Sequence, residues 1–245
     1  MRSPLIALAS ATLLAVPLAV AAAPASAATC TAPELVSSSV APRTVVVGTS
    51  LPKGFVATVG VDPHGCTVTH VDSDFLTPTG GTETFAMDEE ETVDGVTTYD
   101  VGIRISPGAL PNADAGRWTS AVHLSWASSS TSADGASFRV LRAATLTTNA
   151  TPEPVRQGKT LTVTGTLRRA NWESRTYAGY TKRHVVLQFR TLTGSYADVK
   201  TVTSRSHGKV TAKVEARLDG CYRFVFRGSA TTAKVTTKGD CVDVR

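Results

Sequence analysis

Beyond its first twenty-seven residues, the chain has no apolar run approaching the roughly twenty residues that a membrane-spanning helix needs. It also has no segment whose apolar residues recur at helical spacing, so a helical bundle is excluded. Motifs that announce catalysis are missing too. There is no G-x-S-x-G elbow, no H-E-x-x-H, no phosphate-binding loop and no G-x-G-x-x-G. The histidines His64, His70, His123, His184 and His207 are scattered, which argues against an enzyme and leaves only a triad assembled in space as a catalytic alternative. No nucleic-acid-binding motif is present, and no glycine-rich, glutamine-rich or acidic tail is long enough to be disordered. The closing "GDCVDVR" carries neither a hydrophobic tail nor a sorting pattern, so no covalent attachment to a cell is expected.

What the first residues contain is an export signal. Arg2 supplies the charge, Leu5 to Val20 the apolar core, and Ala25-Ser26-Ala27 the small residues before a cleavage site. Cleavage after Ala27 is expected, with Ala28 as the competitor. The mature protein is therefore expected outside the cell. Cys30, Cys66, Cys221 and Cys241 fall two in each half, and an even count in an exported chain reads as disulfides, Cys30 with Cys66 and Cys221 with Cys241. A zinc site on Cys66, His64 and His70 would lack the usual ligand spacing and a second nearby thiolate.

Period-two alternation appears wherever the pattern is clear. In "FVATVGV" Phe55, Ala57, Val59 and Val61 share a face; in "TTYDVGIRI" Tyr99, Val101, Ile103 and Ile105 do. "RTVVVG", "CTVTHV", "TETFAM", "RWTSAVHLSW" and "SFRVLR" are further strands, separated by turn material such as "DPHG", "TPTGG" and "VDG". The second half repeats the style in "TLTVTGTL", "HVVLQFR", "DVKTVTS", "KVTAKVEA", "CYRFVFRG" and "CVDVR". Tyr222, Phe224 and Phe226 are expected to point inward. A hairpin turning around Gly228 to Lys234 would set Cys221 opposite Cys241.

Between these blocks "TNATPEPVRQGKTLTVTG" places Pro152 and Pro154 where they cannot both serve a central ladder. The expected fold is all-β: two tandem immunoglobulin-like β-sandwich domains, 28–143 and 144–245, after a signal peptide at 1–27. In such modules a proline segment of this grammar crosses from one sheet to the other. Charge divides at nearly the same place. Residues 28–142 hold six Lys or Arg against thirteen Asp or Glu, a net −7, and residues 143–245 hold eighteen against seven, a net +11. Opposed halves of this kind would attract each other, within one molecule or head to tail between molecules.

Two segments stand out chemically. Asp88, Glu89, Glu90, Glu91 and Asp94 form a dense acidic run that could hold calcium, although "MDEEETVDG" lacks EF-hand spacing and most runs of this kind are solvated loops. "RRANWESRTYAGYTKRH" interleaves cations with aromatics: Arg168, Arg169, Arg175, Lys182 and Arg183 with Trp172, Tyr177 and Tyr180. As a long loop it could grip an anionic wall polymer, extracellular DNA or a glycan. Alternatively its aromatics fold back as a lid on the sandwich end.

The phrases "VVVGTS", "ADAGRWT", "NATPEPVRQGKTLTVTG", "RRANW", "YAGY", "VVLQFR", "DGCYRF" and "GDCVDVR" resemble a family of secreted two-domain proteins of actinomycetes, notably streptomycetes. That resemblance implies export and tandem immunoglobulin-like folding; members are often uncharacterised, and some carry the name calcium-binding protein. Cysteine at 221 and 241 departs from the aromatic residues expected there, which fits a disulfide replacing an aromatic contact. "DAGRWTS" resembles the D-x-G-x-Y-x-C corner of immunoglobulin domains, with Trp118 in the tyrosine's place and Ser120 in the cysteine's. The usual inter-sheet bridge is therefore expected to be absent. Together these readings describe a secreted, non-catalytic binding or structural protein of the cell exterior, whose basic half engages an anionic wall polymer or glycan. A calcium-binding extracellular protein working through the acidic half is the alternative.

Overall fold

A computed structural model describes residues 30–245; the expected signal peptide lies outside the described residues. In the first sandwich, β1 (Glu34–Ala41), β3 (Lys53–Asp62), β7 (Val96–Ile105) and β6 (Asp88–Val93) form one sheet in the order β1-β3-β7-β6. The facing sheet runs β2-β9-β8-β4-β5, from β2 (Thr44–Val47), β9 (Ser129–Arg142), β8 (Gly116–Trp126), β4 (Val68–Leu76) and β5 (Thr82–Ala86). This is the strand arrangement of an immunoglobulin-like sandwich. Phe55, Ala57, Val59 and Val61 are all buried, as their alternation requires. Phe55 meets Phe75 and Phe138 at centroid distances of 5.4 and 4.7 Å, and Trp118 lies 5.8 Å from Phe138. At the "DAGRWTS" corner, the Trp118 indole Nε1–H donates to the Asp114 carbonyl at 2.8 Å, doing with an indole what the corner tyrosine does with its hydroxyl. Ser120 is buried, and its hydroxyl donates to the Ala136 carbonyl.

The second sandwich starts one residue after β9 ends. β10 (Ala144–Leu146) and β11 (Asn149–Thr151) pair in one continuous register with β12 (Thr160–Asn171), whose other edge takes β16 (Lys209–Glu215) and β13 (Thr176–Gly179). Opposite lie β15 (Ala197–Thr203), β14 (His184–Thr191) and β17 (Gly220–Phe226), with β18 (Val235–Thr236) and β19 (Asp240–Val242) on the free edge of β17. Tyr222, Phe224 and Phe226 point inward as expected, and Cys221 stands opposite Cys241. Both expected disulfides are present, Cys30–Cys66 and Cys221–Cys241.

The prolines do not join the sandwiches; they switch sheets within each one. After Pro42 the chain leaves the β1–β3 pairing and β2 runs parallel to β9. After Pro152 and Pro154, Val155 leaves the β11–β12 pairing and bridges in parallel to Val244 on the opposite sheet. Proline lacks the N–H that a central ladder needs, so it suits a crossing where neither sheet claims that group.

The joint between the sandwiches is Ala143. Its N–H donates to the Val47 carbonyl at 2.8 Å, and its own carbonyl accepts from Ala170 N–H at 2.8 Å. β12 overshoots its own sandwich, and the β12–β13 hairpin reaches into the first core, where Ala170 and Trp172 are both fully buried among first-sandwich residues. Trp172 Nε1–H donates to the Val47 carbonyl at 3.1 Å, and its backbone N–H donates to Asn112 Oδ1 at 3.0 Å. Since full burial of an indole in a closed core leaves a large void when it is truncated, Trp172→Ala should cost about 3–5 kcal/mol of stability. Chemical denaturation would measure the loss, and backbone amide spectra should show it centred on Val47 in the first sandwich; a shift confined to residues of the second would contradict the plug.

Candidate functional site

The cationic and aromatic residues picked out in the sequence do not form one loop surface. They lie on the β12–β13 hairpin and the turn that follows, and strand alternation divides them. Trp172 is the principal correction: neither an exposed stacking platform nor a lid on its own sandwich, it is a plug in the neighbouring core. Tyr177 is half-buried and packs against that same core. Arg168 is exposed, while its neighbour Arg169 projects to the opposite side and lies over the Tyr180 ring with its guanidinium carbon 4.1 Å from the centroid. Arg183 covers the same ring at 4.6 Å. The buried Tyr180 ring is therefore in contact with two guanidiniums, an arrangement favoured by the ring quadrupole. Lys182 and Arg183 are exposed at the turn.

Behind this stack sits Arg142, a buried cation with no carboxylate in ion-pair contact among the described residues. Its Nε–H donates to the Ala170 carbonyl at 2.6 Å. Burial and then the nearby Arg169 push its ionisation down to about 10, with Glu173 acting in the opposite sense. The guanidinium stays charged at neutral pH. Burial alone would raise the Tyr180 phenol, but the neighbouring Ser229 and Thr232 hydroxyls and the cations Arg169 and Arg183 outweigh it and hold it below its ordinary value. The arrangement is poor in negative charge and suited to holding an anion rather than to moving protons.

The acidic run is the second correction. Asp88, Glu89, Glu90 and Glu91 form the edge strand β6 instead of a loop, every residue of it exposed, and Asp94 occupies the turn into β7 with φ 51°. Strand alternation sends successive carboxylates to opposite sides, whereas a hard cation wants six to eight converging oxygens. Among the described residues no group of three or more His, Cys, Asp or Glu side chains is disposed to hold a metal. Charged residues on an edge strand instead discourage pairing with another chain. The Glu90 carboxyl is held above its ordinary value, first by its hydrogen bond with Asp100 and then by the charge on that residue. The zinc alternative fails because Cys66 is bridged to Cys30. His64, His70 and His123 lie against Asp62, Asp72 and Asp74 at 3.3, 3.1 and 3.0 Å, and no serine stands as a hydrogen-bond partner of these imidazoles among the described residues. Asp74 is held below its ordinary value by the Thr84 hydroxyl, against the effect of burial and with help from His123.

Two supporting residues carry no signal in the sequence. Ser204 is buried; its hydroxyl donates to the Tyr180 carbonyl at 2.7 Å and accepts from Arg183 N–H at 3.0 Å, fixing both members of the stack. Asn112 uses its side chain on Asn171 and Trp172 and its N–H on Glu173, so one short turn of the first sandwich receives the whole hairpin tip. A lone serine after "VT" and an asparagine after proline are common, and only the folded register gives them these roles.

Ser204→Ala leaves the buried Tyr180 carbonyl and the part-buried Arg183 N–H unpaired, so it should cost about 1–3 kcal/mol by thermal or chemical denaturation. A serine whose loss changes stability by less than the measurement error would not be holding the turn. For Glu90, a raised folded-state value means that the stabilising shared proton is fully present below the ordinary carboxylate range and is lost as pH rises through the raised value. Glu90→Gln supplies a permanent N–H donor to Asp100. The variant should melt higher than the parent at neutral pH, and the two should converge as pH falls towards about 4; a constant difference across that range would remove the carboxyl pair from the account.

No protein-family model matches the chain, and no curated protein matches it. Solved structures with some likeness include PorU of Porphyromonas gingivalis, at 16% identity over 87% of this chain and 20% of that one, with a TM-score of 0.33. Salmonella α2-macroglobulin is 12% identical over 89% of this chain and 15% of its own, TM-score 0.33. The D0–D1 domain of intimin is 11% identical over 85% of this chain and 98% of its own, TM-score 0.30. The chain thus spans a fifth or less of the length of PorU and of α2-macroglobulin, and its fold rests on its own strand order.

Proposed function

We propose that this chain is a non-catalytic extracellular protein, of the secreted actinomycete kind its sequence resembles, that engages an anionic wall polymer or glycan through cations of its second sandwich. The observation that carries this reading is the pair of guanidiniums against Tyr180, with further exposed cations on the same hairpin and turn. Arg168, Lys182 and Arg183 are exposed, and none is in an ion pair among the described residues. Arg169 and Arg183 are held against the ring, so their guanidiniums are pre-arranged and lose less freedom when an anion binds. Two disulfides support the compartment, because such bonds persist in oxidising surroundings.

The test uses the whole mature chain, since the second sandwich alone would expose Trp172. Co-sedimentation with purified cell walls should be strong at low salt and fall steeply as salt rises, because exposed charges are screened. Arg168→Gln, Lys182→Gln and Arg183→Gln together should reduce retention about tenfold. Retention that is absent at low salt, or indifferent to salt, would overturn the reading.

A further inference from the structure

We propose that the outer side of the seam between the two sandwiches is a binding groove for a linear, base-free polyanion such as a poly(glycerol phosphate) chain. This rests on the reading that the protein engages an anionic polymer through its second sandwich, and it extends the contact along the seam, whose Ser229 hydroxyl lies 3.4 Å from that of Tyr180.

The floor is the outward face of β2, β9 and β8. Arg117 on β8 is the direct cross-strand partner of Arg139 on β9, and both are exposed. Arg43 stands just before β2, where its carbonyl accepts from Arg139 N–H at 3.0 Å. The wall is the turn from Arg227 to Lys234 of the second sandwich. Arg139 Nη2 reaches across the seam to the Ala230 carbonyl at 3.0 Å and the Ser229 carbonyl at 3.4 Å, which ties floor to wall. Two hollows of about 520 and 430 Å³ share Thr44 and Arg139 and so form one run along the seam.

Three features point to an anion. The residues lining both hollows include Arg43, Arg117, Arg139, Arg227 and Lys234 and not one Asp or Glu. Arg227 is paired with the exposed Asp198 at 2.6 Å; the other four are in no ion pair among the described residues. Next, the half of the chain with a net charge of −7 has only six Lys or Arg, and four of them, Arg43, Arg117, Arg139 and Arg142, gather at this seam. Finally, like charges directly opposite on paired strands are unfavourable, and an arginine pair with no carboxylate near it turns favourable when a bridging anion arrives. Guanidinium forks match phosphate oxygens two at a time.

The absence of a ring decides the class of polymer. The sole aromatic lining either hollow is Phe138, which is buried in the first core, so nothing there can stack on a base or a sugar face. Nucleic-acid grooves for single strands combine charge with such rings. Here recognition would come from charge, with the hydroxyls of Thr44, Ser137 and Ser229 as further hydrogen-bonding groups along the path.

Fluorescence anisotropy of labelled poly(glycerol phosphate) with the whole mature chain tests this. Arg43→Gln with Arg117→Gln, which leaves the Arg139 contacts in place, should weaken binding about tenfold and flatten its salt dependence. Arg168→Gln, Lys182→Gln and Arg183→Gln together should weaken it by a similar factor, because the same polymer runs from the seam onto the β12–β13 turn. Weakening by the second set alone overturns the groove and keeps the reading of the basic second sandwich; weakening by the first set alone overturns the β12–β13 contact and keeps the groove; no binding by the unaltered chain at low salt overturns both. Equal affinity for a single-stranded DNA of the same charge would overturn the base-free assignment. Arg117→Gln alone should raise the melting temperature by relieving the facing pair, and a lowered one would mark Arg117 as a structural residue, against the proposal.

Discussion

One backbone carbonyl, that of Val47, takes two donors at the seam: the N–H of Ala143, which joins the sandwiches, and the indole N–H of Trp172, which comes from the far side of the joint. Behind it the buried Arg142 donates to the Ala170 carbonyl, and its own backbone exchanges hydrogen bonds with Thr231 and Ala233. Separating the sandwiches would expose a buried tryptophan and strip partners from several buried polar groups at once, and unpaired buried groups are the expensive ones. A single-residue link gives little chain to rotate about. The two sandwiches therefore behave as one body, and whatever lies along their seam keeps a fixed geometry.

Each sandwich uses the same device at its start. A first strand pairs with one sheet, a proline breaks the ladder, and the next residues run parallel to the last strand of the opposite sheet. Their disulfides serve different ends. Cys30–Cys66 ties the segment before β1 to the turn between β3 and β4, whereas Cys221–Cys241 links two strands already in register. With sequence separations of 36 and 20 residues, each removes freedom from the unfolded chain worth about 3–4 kcal/mol on a chain-entropy account.

Strands with one oily and one wet face, such as β3, β7 and β17, are legible as alternation in the sequence alone. β1 is not, because "ELVSSSVA" packs through serines: Ser38 Oγ accepts from the backbone of Ala136, a contact no periodicity encodes. β6 was hidden for a different reason. An edge strand with all of its side chains in water needs no apolar face, so its composition matches that of a loop. The place of Trp172 was illegible because its acceptor, Val47, is 125 residues away, and a local reading of "RRANW" sees only arginines beside an aromatic. The seam arginines escaped for the same reason. Arg43, Arg117 and Arg139 are isolated along the chain and become neighbours only through the pairing of β2, β9 and β8.

The opposed net charges of the two halves predict an attraction, within one molecule or head to tail between molecules. The ion pairs among the described residues all fall within one half or the other, and none crosses the seam. What crosses is an indole in a core, carbonyls accepting from arginines, and amide contacts at Asn112. Buried apolar contact and neutral hydrogen bonds are little affected by ionic strength, while exposed cations lose their reach within a Debye length of about 8 Å at physiological salt. Arg139 and Arg142 use hydrogen bonds to hold the sandwiches together, whereas the side chain of Arg117 bonds only Ser137 of its own sandwich and that of Arg43 makes no contact across the seam among the described residues, which leaves the charge of these two available to the proposed anion.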